Sequence, residues 1–490
     1  IAVNTSFRNN IYKRNSHEKI LKIKIYKKMK KIKEQIKEHI FVLISIILFL
    51  ILTIPFVSVL PYMDGNIDFV QTLDFYQGGL SQYFSNWNTV HPPLKLLLTT
   101  PFYLIFGISP LSYSMLGIIF GIIGIISIYL LTKDLFGKFS GNLAVLFFSI
   151  YPLFIANSIF SMRDAILTSL IICSLLFYKK KYLILYALIS SLAITTKETA
   201  LLLPLIIIFI ETIFFLKSRK LNIKPFINYL SLFIPLVVYY IWKLVLNSYD
   251  KDSWSEWIFT ETGEKGAVLT IINNITTLGF INAYSEWHWK QVMFLNFNWL
   301  YILIIFSAIT LYIFNFKKIK FHKSSENLKA FLVIILFVIS YFLTVLSLQT
   351  YTIPRYALPV IPFLIIGLSK SITALKNDIT VKITGTLVFL IVLFSLFNSI
   401  DPVAKKIWGN INIFNNNIYA LNDHMAGNDG ITYNIQYLFI ARERSEMIRN
   451  ATGNELISGY CRWVFPDPNN EVKMLNKLKL NPALYCIQIR

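Results

Sequence analysis

Leu111–Leu131 reads LSYSMLGIIFGIIGIISIYLL, with Lys133 and Lys138 close behind. No Asp, Glu, Lys or Arg interrupts the run, and its length suits a helix crossing a hydrocarbon core about 30 Å thick. With no water in that core the backbone must satisfy its own hydrogen bonds, so a run of this kind is a helix. A transmembrane β-barrel would show short alternating segments instead.

Similar runs recur on both sides of this one. Hydrophobic residues make up 55% of the 490-residue chain and charged residues only 15%, where a soluble domain carries about a quarter. The net charge of +21 suggests nucleic acid only until its layout is followed. The bases cluster in the first forty residues and in short loops between apolar runs, as in the positive-inside pattern of membrane proteins. The layout therefore argues against a nucleic-acid partner.

Taking the lysines before Ile40 as cytoplasmic orients the rest. Ile40–Leu60 exits, and 61–110 forms an outer loop in which Leu94–Gly107, interrupted by Pro101, reads as an interfacial helix. Leu111–Leu131 returns, Phe139–Phe160 exits, and Ala165–Tyr178 returns to Lys179–Lys181. Tyr182–Thr195 exits and Ala200–Leu216 returns. Phe226–Leu246 exits into a second outer loop, 247–298. Trp299–Asn315 returns, Ala330–Gln349 exits, Tyr356–Leu368 returns and Ile383–Ile400 exits last.

The expected architecture is an α-helical polytopic membrane protein of about eleven spans, within a range of about nine to thirteen because several runs are short. Its amino terminus is cytoplasmic and its carboxyl terminus extracytoplasmic. Residues 1–39 form a basic cytoplasmic segment without a signal-peptide cleavage pattern, and Met29 is a candidate start. Residues 40–400 form the membrane domain. Residues 401–490, with turn sequences such as Asn428-Asp429-Gly430, read as a small mixed α/β extracytoplasmic domain. Cys173 falls in a span, while Cys461 and Cys486 could pair in an oxidising compartment. Asn274 and Asn450 open sequons on the outer side.

The unusual polar residues gather at one side of this topology: Asp64 past the first span, His91 to Lys95 at the close of the first outer loop, Arg163-Asp164, Lys197-Glu198 and Arg355-Tyr356 at span ends. Ionisable groups converging on one face suggest a site there. Plainer readings exist for each. Lys95 and Arg355 could snorkel to headgroups, Asp64 could be a turn residue in Met63-Asp64-Gly65-Asn66, and His91 could cap a helix. Asp68 and Asp74 read as helix-surface residues. The tryptophans Trp254, Trp257, Trp287, Trp289 and Trp299 read as an interfacial belt.

From about Tyr62 to Pro204 the chain resembles the polyprenyl-phosphate-sugar-dependent glycosyltransferases of the GT-C fold, which include protein O-mannosyltransferases and the bacterial aminoarabinose transferases of lipid A. The resemblance rests on Asp64, His91-Pro92-Pro93-Leu94, Leu104-Ile105-Phe106-Gly107, Leu135-Phe136-Gly137, Arg163-Asp164, Thr196-Lys197-Glu198-Thr199-Ala200 and Pro204. Arg355-Tyr356 with Pro359 and Pro362 extends it.

It implies a polyprenyl- or dolichyl-phosphate sugar donor, a protein, lipid or glycan acceptor, and transfer with inversion. It also implies Asp64 as general base and Asp164 as a second catalytic acid that orients cations or helps hold a metal. Arg355 is the leading donor-phosphate ligand, with Lys197, His91 and Lys95 behind it. Arg163, Glu198, Tyr356 and Asp68 support the site. No cofactor is specified, and a divalent metal stays open. Many family members carry Asp-Glu where this chain has Asp64-Gly65, so Asp68 is a candidate replacement. A lipid-linked sugar transporter or an inactive assembly subunit of the same fold are the alternatives.

Overall fold

The computed structural model describes residues 39–57, 64–86, 89–218, 229–253, 325–346, 354–375 and 378–397, and the short strands at 461–462 and 487–488. Helix α1, His39–Thr53, runs on into a 3-10 turn, Ile54–Phe56. After that turn come α2 (Asp64–Asn86), β1 (Thr89–Val90) and α3 (Leu94–Phe106). Then follow α4 (Pro110–Phe136), α5 (Lys138–Ser149), α6 (Pro152–Ile159), α7 (Arg163–Lys179) and α8 (Leu183–Ile194). After them come α9 (Leu202–Ser218), α10 (Ile234–Ser248), α11 (Ser325–Tyr341), α12 (Ile361–Thr373) and α13 (Asp378–Phe397).

Every expected span except Trp299–Asn315 falls on a described helix. Among the described residues, four helices are long and apolar enough to cross a membrane, or five if the bent pair α5–α6 is one span. The chain is an integral membrane protein. Trp299–Asn315, Met29, the five belt tryptophans, both sequons and Cys486 lie outside the described residues, as does most of 401–490. From that last segment the structure gives one antiparallel pair, β3 (Cys461–Arg462) with β4 (Ile487–Gln488).

Phe139–Phe160, expected as one continuous span, is two helices with a sharp bend between them. α5 ends at Ser149, α6 starts at Pro152, and their axes differ by 57°. Proline lacks the N–H that would continue the ladder and drives the residue before it out of the helical region. Tyr151 accordingly has φ −67 and ψ 119. Pro204, by contrast, sits in the first turn of α9, where it leaves the helix intact. Gly137 joins α4 to α5 at φ 94, a left-handed conformation that favours glycine.

The core gathers around α4 and α7, which pack on each other; α4 also packs on α5 and α6. Close approach depends on small residues along α4. A Cβ on Gly117 would strike the carbonyl oxygen of Ser158 and stand 2.7 Å from Cα of Ser161, and one on Gly121 would strike the ring of Phe49. In lipid, helices associate through such close packing because the tails are as apolar as the side chains. Ser161 adopts φ 47 in the turn between α6 and α7. Gly117 thus seats the turn that aims the first residues of α7.

Candidate active site

Three of the sequence-marked segments meet through the loop His91-Pro92-Pro93. The Tyr83 hydroxyl donates to the His91 carbonyl at 3.0 Å. Arg163 Nη1 donates to the Pro92 carbonyl at 3.0 Å, and Leu94 N–H donates to the Thr195 carbonyl at 3.0 Å. Two successive prolines offer no N–H, so the loop's polar groups are satisfied by neighbours rather than by a ladder. The parallel pairing of β1 with β2 (Asp252–Ser253), Thr89 opposite Asp252, fixes the chain just before it. α3 starts at Leu94 without a side-chain cap, so His91 does not cap it.

Asp68 is the first hub. Its Oδ1 accepts from Arg163 Nε at 2.8 Å and its Oδ2 from Lys95 Nζ at 2.6 Å. Arg163 Nη2 also donates to Gln71 Oε1 at 3.1 Å, and Lys95 donates to the Tyr113 hydroxyl at 2.6 Å. Burial alone would raise the Asp68 carboxyl, but Arg163 and Lys95 outweigh it and hold it below the usual carboxylate range. Phe69, Tyr103 and Tyr113 pack edge to face beside the hub and exclude water from it.

Asp164 is the second hub. Its Oδ1 accepts from Lys197 Nζ at 2.8 Å, and its Oδ2 lies 3.3 Å from Arg355 Nε. Tyr356 lies beneath both cations, with Lys197 Nζ 4.3 Å and Arg355 Cζ 5.2 Å from its ring centre. Three elements supply the hub: the first turn of α7, the residues after α8, and the 3-10 turn Pro354–Ala357. Glu198, next in the chain to Lys197, places Oε2 3.6 Å from His91 Nδ1. Across both hubs and Glu198, the four cations Lys95, Arg163, Lys197 and Arg355 face the three carboxylates Asp68, Asp164 and Glu198. One positive charge is left over, in a largely buried setting.

Several expectations need correction. Asp68 and Asp74 are not surface residues; their exposures are 6% and 0%. α2 packs on α3, and a left-handed Gly79 kinks it so that Asn86 Nδ2 turns back onto Asp74 Oδ1 at 3.1 Å. Lys95 and Arg355 do not snorkel, since Lys95 is fully buried and Arg355 is 2% exposed. Asp64 opens α2 one helical turn before Asp68. Gln71, Tyr83 and Tyr113 are site members that sequence reading passed over, because uncharged side chains carry no mark until the fold brings them to a charge.

A separate polar cluster, also missed, joins α7, α9 and α11. Glu211 Oε1 accepts from the Tyr178 hydroxyl at 2.6 Å, and its Oε2 from Lys329 Nζ at 2.7 Å and the Tyr229 hydroxyl at 3.3 Å. Among the described residues, no three His, Cys, Asp or Glu side chains come together as metal ligands would.

Fold and site together define a polytopic helical membrane protein with a buried, cation-rich cluster of side chains at one end of its helices. Residues 90–242 match the model of the family described as dolichyl-phosphate-mannose-protein mannosyltransferase. The resemblance to lipid-phosphate-sugar-dependent glycosyltransferases, read from the motifs between Tyr62 and Pro204, is borne out by that match. A comparison with curated protein sequences finds no significant match.

Among solved structures, the chain is similar to ArnT from Cupriavidus metallidurans bound to undecaprenyl phosphate. The identity is 15% and the TM-score 0.47, over 84% of this chain and 72% of that one. It is also similar to the archaeal oligosaccharyltransferase AglB from Archaeoglobus fulgidus, in complex with an inhibitory peptide and a dolichol-phosphate. Here the identity is 13% and the TM-score 0.48, over 93% of this chain and 61% of that one.

Proposed function

We propose that the protein is a membrane glycosyltransferase of the GT-C fold that moves a sugar from a polyprenyl- or dolichyl-phosphate donor to an acceptor on the extracytoplasmic face. The observation that carries this reading is the Asp164 hub with its surplus of positive charge, of which Asp164 and Lys197 lie inside the stretch that matches the mannosyltransferase model. Lys197 and Arg355 are both held by one carboxylate. They present preset donors where negative charge grows on a departing phosphate, and need little reorganisation as it does so.

Arg355 and Lys197 bind the donor phosphate. Asp164 orients them and keeps two buried cations from repelling each other. Asp64, one turn from the ion-paired Asp68, is the general base. It takes the proton of an acceptor hydroxyl or amine as the acceptor attacks the anomeric carbon opposite the phosphate, which gives inversion. Asp68 is committed to Lys95 and Arg163, which suits an anchor for the helix that carries Asp64 better than a stand-in for the Glu that many family members carry at the position of Gly65. Lys95, spent on Asp68 and Tyr113, is likewise an anchor rather than a phosphate ligand.

The test is transfer from radiolabelled polyprenyl-phosphate sugars by purified wild type, Asp64→Asn and Arg355→Ala. Wild-type transfer that survives Asp64→Asn undiminished removes Asp64 as base. Absence of transfer from every donor tried returns the reading to a transporter or an inactive subunit.

A further inference from the structure

His91 is held at an unusual level of definition for a loop residue. Its own carbonyl, that of Pro92 and the N–H of Leu94 are each engaged at 3.0 Å by a different element, so the backbone that carries the imidazole is fixed. Its side chain keeps 19% exposure, while the Glu198 side chain beside it keeps 5%. Glu198 Oε1 is buried without a hydrogen-bond partner among the described residues. An acceptor oxygen on the Nδ1 side favours the tautomer with hydrogen on Nδ1. In neutral His91 the Nε2 atom then offers a lone pair, which repels a phosphate oxygen; only the imidazolium donates from both nitrogens.

The charged and titratable groups facing the ring are Arg163 at the start of α7, Lys197 and Glu198 after α8, and Tyr83 of α2 through the His91 carbonyl. Asp68 stands behind Arg163. Burial first, then the Arg163 cation, push the imidazole below its ordinary range, with Glu198 opposing and Lys197 adding to the fall. The resting ring is therefore neutral near pH 7. A phosphate anion arriving among these groups reverses the local balance and favours the charged ring.

We propose that His91 joins the donor-phosphate site as an imidazolium, so that binding a lipid phosphate takes up one proton, and that Glu198 is the positioning residue that holds the ring for this exchange. The proposal rests on the lipid-phosphate reading above. It adds to that reading a proton, taken from water, that stays on His91 while the phosphate is bound and returns to water when it leaves.

The experiment measures binding of the methyl diester of undecaprenyl phosphate, whose phosphate does not titrate between pH 5 and 9, to the purified full chain across that range. Between the free and bound values of His91 the association constant should fall up to tenfold per pH unit as pH rises, and it should level off above the bound value. His91→Gln should bind without that slope and converge on wild type at the alkaline end, which a misfolded variant would not do. Glu198→Gln should move the slope to lower pH, because the ring loses the carboxylate that favours its charged form.

Flat wild-type binding across the range, or a slope that survives His91→Gln, overturns the proposal while leaving the lipid-phosphate site standing. No binding at any pH overturns that site and the proposal with it.

Discussion

Two buried polar clusters share helix α7 and differ in what they leave over. At one end, the Asp68 and Asp164 hubs and Glu198 hold four cations against three carboxylates, with buried polar atoms such as Glu198 Oε1 and Gln71 Nε2 unpartnered among the described residues. Further along α7, Glu211 faces one lysine and two tyrosine hydroxyls, with both its oxygens engaged. The Glu211 cluster is neutral and complete, as a structural tie should be. The other keeps charge and hydrogen-bonding capacity in reserve, a state worth maintaining only where something else arrives to use it. A buried charge thus points to function when its pairing is incomplete, and burial alone does not.

The contrast breaks most visibly at Glu211. Glu211→Ala strands Lys329 in the bundle, and thermal unfolding should show a loss of about 3–5 kcal/mol, the usual penalty for removing one partner of a buried pair. The Michaelis constant for donor, measured on the protein that remains folded, should stay at the wild-type value. A raised constant would mean that this cluster is no mere tie.

Arg355→Ala should do the reverse. Transfer should drop about 100- to 1,000-fold, the scale for losing one preset donor to developing charge, with thermal stability less affected than in Glu211→Ala. Equal losses of stability in the two variants would erase the distinction between the clusters.

Gly117→Ala tests the seat of the α6–α7 turn. The added methyl must displace the Ser158–Ser161 backbone, at about 1–3 kcal/mol. Because that turn aims Arg163 and Asp164, transfer should suffer in proportion more than with an equally destabilising change among the lipid-facing residues of α13. Smallest of all, Tyr229→Phe removes the 3.3 Å bond to Glu211 and should lower stability by about 0.5–1.5 kcal/mol with transfer untouched.

Much of the membrane domain is legible in the chain because lipid leaves the backbone so few choices. An apolar run of sufficient length is a helix wherever it lies, and lysines mark its ends. The break at Tyr151-Pro152 was equally open to reading, but the hydropathy of Phe139–Phe160 runs straight across it. The gathering of Asp164, Lys197 and Arg355 followed from topology, since each stands at the same end of its span. The division of labour did not. Asp68 looks like a surface acid from sequence because nothing local to it announces Lys95 or Arg163, which lie 27 and 95 residues away. Glu211 escaped notice for the same reason: it is one acid in an apolar run, and its lysine is 118 residues off.

Arg163 and Asp164 are neighbours in the chain, yet each serves a different hub. Successive residues in a helix turn by about 100°, so the first turn of α7 reaches the helix that carries Asp64 with one side chain and the Lys197–Arg355 pair with the next. The two hubs therefore behave like the pans of a balance on a single beam. Rolling α7 to tighten its grip at one pan slackens the other, and a residue inserted at Met162 would throw both out of register together.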